Sequence, residues 1–250
     1  YLKNIKKIIH NIHNKDLEKV VISRLVKYSL NQKLPINQLI KHLNKKYPTC
    51  FNFFTSFNKQ TIFIGSTPEK LIALNNNKFT IDGIAGSSKN KRNLDDSKEI
   101  EEHNYVIKYI YNKMKKNSKN IIVSDKPSVL ELNYINHLYS LISGTLNKKT
   151  HILDLISNLY PTPALLGYKK KEARKKIRLF EKSDRGWYGG CIGIYTNKGD
   201  GEFYVPIRSG LISNNNLFLF TGSGIVSDSI PEKEWEETEL KLEHMLSYFK

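Results

Sequence analysis

Apolar residues in the first segment of the chain return every three or four positions. Leu2, Ile5, Ile8 and Ile12 follow this spacing, which places them on one face of an amphipathic helix. The same spacing predicts helices over residues 35–46, 97–114, 152–159, 171–180 and 231–249. The last of these begins with Pro231, a residue that suits the first turn of a helix.

Shorter runs of β-branched, aromatic and other apolar residues predict strands between the helices. These runs cover residues 19–24, 51–57, 60–65, 71–74, 79–81, two pieces within 129–146, 188–195, 201–212 and 216–220. The glycine-containing residues 83–88 predict a turn, and the polar residues 89–96 predict a mobile loop. Because helices come in blocks between runs of strands, the pattern predicts an α+β fold, and we expect one domain over residues 1–250.

The composition adds a strong positive charge to this picture. There are 40 Lys+Arg against 24 Asp+Glu, which gives a formal net charge of +16. Such a charge is typical of nucleic-acid or membrane binding, but the lysines are scattered and no aromatic residues interleave a basic stripe. We therefore expect no nucleic-acid partner. No run of about 18 apolar residues predicts a membrane span, so no membrane partner is expected either.

Two further features concern the setting and the extent of the chain. Cys50 and Cys191 lie far apart and form no CxxC, so we expect reduced thiols in a cytoplasmic protein and no zinc site. The first residue is Tyr1, and no charged-then-apolar leader follows it. We expect this sequence to be an N-terminally incomplete copy of a longer protein.

Carboxylates share a face on two of the predicted helices. Glu234, Glu237 and Lys241 are spaced i, i+3 and i+7, and Glu99 and Glu102 are spaced i, i+3. An exposed salt-bridge ladder explains the first face and helix N-terminal charge bias explains Glu99. Acids in line with apolar stripes also suit a hard cation such as Mg²⁺, which takes one or two protein carboxylates together with water and substrate oxygens.

The other candidate residues lie on or beside predicted strands. Arg208 has apolar neighbours and needs a partner, for which a bidentate carboxylate is the natural choice. Residues 221–224 are either an anion cradle of backbone N–H groups or a plain strand-end turn. Lys19 begins an apolar strand and either extends to solvent or is buried, in which case its pKa falls and it can act as a base. Glu69 follows a Thr-Pro pair and is either part of a helix start or an acid near a leaving group.

Ten segments, taken in chain order, resemble the chorismate-utilising enzymes, and within them the isochorismate synthases. The matching segments are residues 18–24, 65–69, 85–87, 102–103, 137–138, 161–164, 184–188, 205–209, 222–225 and 234–238 with Lys241. One such motif is weak, but ten in the family's order are specific. The resemblance implies layered β-sheets flanked by helices, Mg²⁺ as cofactor, and chorismate as a small, doubly negative substrate.

The resemblance also implies a role for each matching residue. Lys19 corresponds to the base that activates water for attack at ring carbon C2, and Glu69 to the acid that protonates the departing C4 hydroxyl. The implied metal ligands are Glu102 and Glu237, with Glu99 and Glu234 beside them. The implied substrate-binding residues are Gly86, Ser87, Tyr188, Arg208, Gly222, Gly224 and Lys241.

Single positions separate the branches of this family. Relatives that use ammonia lack the lysine base, so Lys19 indicates water as the nucleophile. Ala85 stands where aminodeoxychorismate synthases carry a nucleophilic lysine, which disfavours that route. The sequence departs from the family at Tyr160, where a histidine is usual, and we expect this change to alter the packing near the site.

Three functions follow, in order of support. The first is an isochorismate synthase, a Mg²⁺-dependent isomerase that serves menaquinone or siderophore biosynthesis. The second is a salicylate synthase, which shares Lys19, Glu69 and the glutamates and goes on to eliminate pyruvate. The third is a non-catalytic basic binding protein, which only the charge supports. The sequence predicts neither an oligomeric state nor a choice of pathway.

Overall fold

The chain folds into helices packed on two antiparallel sheets. The structure is a computed structural model and describes residues 1–14, 17–58 and 60–250. Its helices are α1 (Leu2–His13), α2 (Ile36–Lys46), α3 (Ser97–Lys115), α4 (Ile152–Leu159), α5 (Lys170–Phe180) and α6 (Pro231–Leu246). Its strands are β1 (Lys19–Ser29), β2 (Phe51–Asn58), β3 (Thr61–Thr67), β4 (Lys70–Asn75), β5 (Lys78–Ser88), β6 (Ser118–Val123), β7 (Ser128–Glu131), β8 (Asn136–Leu146), β9 (Gly167–Tyr168), β10 (Ile192–Tyr195), β11 (Gly201–Tyr204), β12 (Ser209–Ser213) and β13 (Asn216–Ile225).

Each strand belongs to one of two sheets, and the chain passes back and forth between the sheets. The first sheet runs β2–β3–β12–β13–β1–β9, and the second runs β10–β11–β4–β5–β8–β6, with β7 also paired to β8. Consecutive strands β3 and β4 therefore belong to different sheets, as do β11 and β12. The short links between them carry the chain from one sheet to the other, and two candidate site residues, Glu69 and Arg208, lie in these links.

Three apolar clusters bury the helix stripes that the sequence predicts. The second sheet packs against α3 and α4, the first sheet packs against α2 and α6, and α1 and α5 pack near β1. On α1, for example, Ile5, Ile8 and Ile12 are buried while the lysines of the other face are exposed. The predicted α+β class is confirmed, and all six predicted helices are present. No helix in the described part of the chain is both long and apolar enough to cross a membrane.

Several local predictions were wrong because strand pairing extends through glycines. Residues 83–88 are not a turn but the end of β5, which pairs with β8 and takes up one extra residue in a bulge at Gly86. Residues 221–224 are not a turn, because they belong to β13 and their backbone pairs with β1. The predicted strand over residues 216–220 therefore continues to Ile225.

Other corrections concern segments where the local pattern misled. Residues 91–95 form a short 3₁₀-helix within the predicted mobile loop. The predicted strand 201–212 is interrupted between β11 and β12, because Arg208 adopts a positive φ of 51° that a strand does not accommodate. Residues 188–191 lie ahead of β10 and not in a strand, since residues 186–189 form turns, and the edge strand β6 was not predicted.

Candidate active site

Residues from both sheets and from α3 and α6 converge on one pocket. Among the residues that line it are Glu69, Ser87, Glu102, Tyr188, Arg208, Gly222, Gly224 and Lys241. A neighbouring cavity shares Ser87 and is lined by Lys98, Glu99, Glu234 and Glu237. The fold thus brings together, in two adjoining cavities, side chains that the sequence separates by up to about 170 positions.

Lys19 lies beside this pocket and is completely buried. It is the first residue of β1, and its Nζ lies 3.1 Å from Glu102 Oε1 and 3.4 Å from the Glu102 carbonyl oxygen. Burial lowers the pKa of Lys19, an effect that Glu102 opposes and that Lys98 and Lys241 reinforce. The alternative in which Lys19 extends to solvent is therefore wrong, and the residue has the environment that a neutral lysine base requires.

Gly224 allows this close approach between Lys19 and Glu102. A Cβ at position 224 would lie 2.0 Å from Glu102 Oε1 and 3.1 Å from Lys19 Cε. Any side chain here would push the two ionic groups apart, so the strand must carry glycine at this point. Gly224 also lines the pocket, as its predicted role in substrate binding requires.

Glu69 occupies the link between β3 and β4 and does not begin a helix. Its side chain is buried, and its backbone N–H donates to Thr67 Oγ1 at 3.2 Å. Burial, with a smaller contribution from the negative charge of Asp82, raises the pKa of Glu69 to about 8. A carboxyl group in this environment carries its proton at neutral pH and can donate it to a leaving group.

Four glutamates from α3 and α6 surround a single ammonium group, that of Lys98. The distances from Lys98 Nζ to carboxylate oxygens are 3.1 Å for Glu234, 3.2 Å for Glu99, 3.4 Å for Glu102 and 3.8 Å for Glu237. We call these four residues with Lys98 the glutamate cluster. Glu102, Glu234 and Glu237 are buried, so an exposed salt-bridge ladder on α6 is excluded.

Within the glutamate cluster the carboxyl groups differ in their affinity for a proton. Burial disfavours the charged form of Glu102, but Lys19 and Lys98 outweigh burial and lower its pKa to about 2. Burial raises the pKa of Glu99 to about 7 and also raises the pKa of Glu234. The carboxylates in turn hold the pKa of Lys98 well above its ordinary value, although burial acts in the opposite direction. Lys98 is therefore an ammonium ion.

The donor set of the glutamate cluster suits a hard divalent cation. In the part of the chain that the structure describes, no three acidic, histidine or cysteine side chains stand close enough together to form a ready metal site. Lys98 lies between the carboxylates instead. Glu234 Oε2 is buried and has no hydrogen-bond partner among the described residues, so one carboxylate oxygen of the cluster is left without a hydrogen-bond donor or a cation. Carboxylate oxygens are the protein ligands that Mg²⁺ prefers.

Arg208 lines the pocket together with His137 and Ser87. Arg208 Nη2 donates to His137 Nε2 at 2.8 Å, and His137 Nδ1 lies 2.8 Å from Ser87 Oγ. Burial, followed by the charge of Arg208, lowers the pKa of His137 well below its usual value, so the ring is neutral and donates from Nδ1 to Ser87. We call these three residues the arginine end.

The carboxylate partner predicted for Arg208 is absent from the described residues. Its Nε and Nη1 are buried and have no hydrogen-bond partner there, and its positive φ places the backbone in a region that is strained for a residue other than glycine. The two unpaired guanidinium donors beside the pocket leave charge-assisted hydrogen bonds for an anion to accept.

The remaining predicted substrate-binding residues make different contacts, and not all of them line the pocket. Lys241 Nζ donates to the Gly222 carbonyl at 3.0 Å and pairs with Glu237. Tyr188 lines the pocket and stacks on Phe220 with ring centroids 5.2 Å apart. The φ of Gly86 is +75°, and a Cβ there would lie 2.7 Å from the Glu99 carbonyl oxygen, so this glycine permits α3 to pack on β5. Gly86 is not among the residues that line the pocket.

Two further residues hold a loop in place beside the pocket. The Tyr160 hydroxyl donates to the Gly189 carbonyl at 2.9 Å, next to Tyr188. Arg185 donates to the carbonyls of Leu165 and Val21 at 2.7 and 2.8 Å. Tyr160, where the family usually has histidine, thus takes part in positioning the loop that carries Tyr188.

The sequence did not single out Lys98, and it gave His137 no role. Lys98 stands four residues before Glu102, a spacing that indicates an ion pair along the helix. Its contacts with Glu234 and Glu237 depend on how α6 packs beside α3, which no local pattern reveals. His137 lies in one of the recognised segments, but its contact with Arg208 joins positions 71 residues apart.

Comparisons with known proteins give matches that extend over nearly the whole chain. The family described as chorismate binding enzyme matches residues 1–250. Isochorismate synthase MenF of Bacillus subtilis (strain 168) is 34% identical over 258 residues, which cover 99% of this chain and 55% of the relative. The vibriobactin-specific isochorismate synthase of Vibrio cholerae is 29% identical, with 99% of this chain and 66% of the relative covered.

The fold is shared as well. The crystal structure of DhbC from Bacillus anthracis superposes with a TM-score of 0.95 at 30% identity, covering all of this chain and 71% of that one. The chain spans between about half and two thirds of the length of the two curated relatives. Because the family match extends over the whole chain, the protein belongs to the chorismate-binding enzyme family.

Proposed function

We propose that this protein is an isochorismate synthase, an isomerase that converts chorismate to isochorismate. The observation that carries the proposal is the pairing of a buried lysine whose pKa is lowered with a buried carboxyl group whose pKa is raised to about 8, beside one pocket. Burial thus shifts each pKa in the direction that a base and an acid need near neutral pH. The two curated relatives described above carry the name isochorismate synthase.

Lys19 and Glu69 divide the proton transfers between them. Neutral Lys19 takes a proton from water as the water oxygen bonds to ring carbon C2. Both conjugated ring double bonds shift by one position, the bond between C4 and its hydroxyl oxygen breaks, and Glu69 supplies the proton with which that hydroxyl leaves as water. One water is added and one is released, so the reaction is an isomerisation. In reverse, Glu69 acts as the base and Lys19 as the acid.

Binding of the two substrate carboxylates falls to the two ends of the pocket. Arg208 has buried donors without a partner, which favour a substrate carboxylate, and neutral His137 keeps the guanidinium oriented by accepting from Nη2. The aromatic pair of Tyr188 and Phe220 gives the pocket an apolar wall. Lys241, anchored on the Gly222 carbonyl, adds positive charge near the other end.

We also propose Mg²⁺ as the cofactor, held by Glu102 and Glu237 with Glu99 and Glu234 beside them. When bound, it would neutralise a substrate carboxylate and orient the ring. Glu102 has a second effect, because its charge raises the pKa of Lys19. Once Glu102 shares that charge with a metal, it stabilises the Lys19 ammonium less, which favours the neutral base.

The test is to incubate the protein with chorismate and Mg²⁺ and to follow the products by proton NMR. We expect isochorismate to accumulate to an equilibrium with chorismate. Lys19→Met and Glu69→Gln, checked for folding by circular dichroism, should each remove this conversion. If the folded protein forms no isochorismate from chorismate and no chorismate from isochorismate, the proposal is refuted. Pyruvate released in step with chorismate consumption would reassign the protein as a salicylate synthase.

The setting of the enzyme follows from its cysteines. Cys50 and Cys191 form no disulfide in the described chain, which suits the reducing cytoplasm in which we expect the enzyme to work. The net charge of +16 favours the approach of a doubly negative substrate, in a manner that salt weakens.

A further inference from the structure

Within residues 1–14, 17–58 and 60–250, Lys98 is the one ammonium group that contacts all four carboxylates of the glutamate cluster. It belongs to the first turn of α3, ahead of Glu99 and Glu102, and it reaches across to Glu234 and Glu237 on α6. Among the described residues, the other lysines of this region each contact one member of the cluster: Lys19 contacts Glu102 and Lys241 contacts Glu237. Lys98 therefore occupies the shared centre.

An ammonium ion and a magnesium ion cannot occupy this centre together. Mg²⁺ binds oxygen at about 2.0–2.1 Å, whereas the carboxylate oxygens lie 3.1–3.8 Å from Lys98 Nζ. Binding of Mg²⁺ therefore requires the ammonium to leave and the oxygens to close in by about 1 Å or more. Glu102 makes the conflict explicit, since Lys19 takes its Oε1 and Lys98 takes its Oε2.

The charges favour the same exchange. Three ammonium groups, those of Lys98, Lys19 and Lys241, pair with the four glutamates of the cluster. A divalent cation in place of Lys98 would bring one more positive charge to the same carboxylates. In the absence of metal, however, the loss of Lys98 would leave four carboxylates against two ammonium groups in a buried space, which is costly.

Lys98 also has a route out of the cluster. Its side chain is 13% exposed and lines the cavity beside the pocket, whereas the side chain of Lys19 is 0% exposed. A long flexible side chain can carry its charge from a buried pair to solvent without a change in the backbone. Of the two lysines that pair with Glu102, Lys98 is the one whose side chain can move out to solvent.

We propose that Lys98 is an internal counterion that occupies the cation position of the glutamate cluster in the metal-free protein, and that a divalent metal binds by displacing it. The inference rests on the magnesium site of the proposed function. It makes Lys98 a competitor of the metal: the residue keeps the empty site folded and lowers its apparent affinity for Mg²⁺. Metal binding and movement of the Lys98 side chain then form one coupled event.

The experiment compares Lys98→Met with Lys233→Met in the full chain. Lys233 lines the same cavity and has no ion pair among the described residues, so its replacement removes an equal charge without touching the glutamate cluster. Binding of Mg²⁺ is measured by isothermal titration calorimetry, and melting temperatures are measured in EDTA and in excess Mg²⁺. Neither measurement uses turnover.

We expect Lys98→Met to bind Mg²⁺ about tenfold or more tightly than the unaltered protein, since each charge-assisted contact that the metal must break is worth a factor of this order. Its melting temperature should fall in EDTA and recover in Mg²⁺, while Lys233→Met changes little. Lys98→Arg, which keeps a charge that pairs well with carboxylates, should weaken Mg²⁺ binding.

Unchanged or weaker Mg²⁺ binding by Lys98→Met would overturn the inference and would mean that Lys98 supports the ligands. If Lys98→Met unfolds in EDTA, Lys98→Arg still decides, because equal or tighter binding there contradicts displacement. Detectable Mg²⁺ binding by Lys98→Met, with none by the unaltered protein, supports the inference. If neither the unaltered protein nor Lys98→Met binds Mg²⁺, both the inference and the magnesium proposal fail. Binding by both with equal affinity refutes only the inference.

Discussion

The two ends of the active site solve opposite electrostatic problems in different ways. The glutamate cluster gathers four acids and satisfies most of them with lysines of the same chain. The arginine end buries a guanidinium and leaves two of its donors without a partner among the described residues. The acids of the glutamate cluster are thus paired within the chain, whereas Arg208 has donors that an anion could satisfy.

This difference indicates how each end takes part in binding. An unpaired buried donor costs folding free energy until a ligand satisfies it, so the arginine end favours any molecule that brings a carboxylate. The glutamate cluster must instead exchange one cation for another. The proton chemistry assigned to Lys19 and Glu69 belongs to the pocket between these ends, where burial sets both pKa values.

The largest effect is expected at Lys19, which pairs with Glu102 of the glutamate cluster. Lys19→Met removes the proposed base and should reduce kcat by about 10²–10⁴-fold, the usual contribution of a general base. The substrate contacts at the arginine end remain, so KM should change little. Steady-state kinetics with chorismate measure both constants. A kcat within a few-fold of the unaltered protein would remove Lys19 from the mechanism.

The second prediction sharpens the contrast between a filled and an unfilled end. Arg208→Met should reduce kcat/KM by about 10²-fold, because a buried charged hydrogen-bonding pair is worth about 2–5 kcal/mol when one partner is removed. The same change should raise the free energy of unfolding, by about 1–3 kcal/mol, since it removes a buried charge with unpaired donors. Urea denaturation without substrate measures the stability.

A matched change at the other end should behave differently. Glu237→Gln leaves Lys241 and Lys98 with less negative charge to pair with and should lower the free energy of unfolding. If Arg208→Met destabilises the protein as much as Glu237→Gln does, the arginine end is satisfied in the folded chain and the comparison between the two ends is broken.

The pH dependence of kcat/KM provides a third prediction, a fall of about tenfold per pH unit in the alkaline range. Glu69 must be protonated to act as the acid, and its pKa is raised to about 8, so kcat/KM should fall as the pH rises above about 8. In the unfolded chain this carboxyl group titrates near 4.5. The folded state therefore holds a proton that the unfolded state releases, and stability declines as the pH rises from about 4.5 to about 8.

Glu69→Gln isolates this contribution. The variant cannot ionise at this position, so its free energy of unfolding should decline less between those pH values than that of the unaltered protein. Denaturant titrations at several pH values give the comparison. Parallel pH profiles for the two proteins would show that Glu69 does not hold its proton in the folded chain.

The smallest effect is expected at Tyr160. Tyr160→Phe removes the hydrogen bond to the Gly189 carbonyl and should cost about 1 kcal/mol of stability, with a few-fold loss of kcat/KM through the loop that carries Tyr188. Tyr160→His restores the family's usual residue and tests whether a ring nitrogen can make the same contact. A Tyr160→Phe variant with unchanged melting temperature would show that the hydroxyl does not hold the loop.

The sequence predicted regular elements better than the points where they break. Helical periodicity located all six helices, because each one buries a stripe. The interruption at Arg208 was missed because a positive φ at a non-glycine residue leaves no local pattern. Residues 83–88 were predicted as a turn and residues 221–224 as a turn or an anion cradle, whereas both belong to strands, since glycine marks turns more often than it marks a strand that other groups approach closely.

The chemistry of the site was predictable where single residues carry it, and not where several elements combine. Lys19, Glu69 and Glu102 were identified from motifs, and the structure buries all three. The degree of burial that shifts their pKa values depends on packing between the sheets and α3, which the sequence does not state. Lys98 escaped attention because half of its contacts come from α6, more than 130 residues later.

The most direct test of the central claim is the source of the new hydroxyl oxygen. The protein, with Mg²⁺ and chorismate, is incubated in water enriched in oxygen-18, and isochorismate is isolated for mass spectrometry. If water activated by Lys19 attacks C2 while the C4 hydroxyl departs, each isochorismate formed carries one oxygen-18 at C2. Isochorismate that retains only the original oxygen, or folded protein that forms none, would contradict the account.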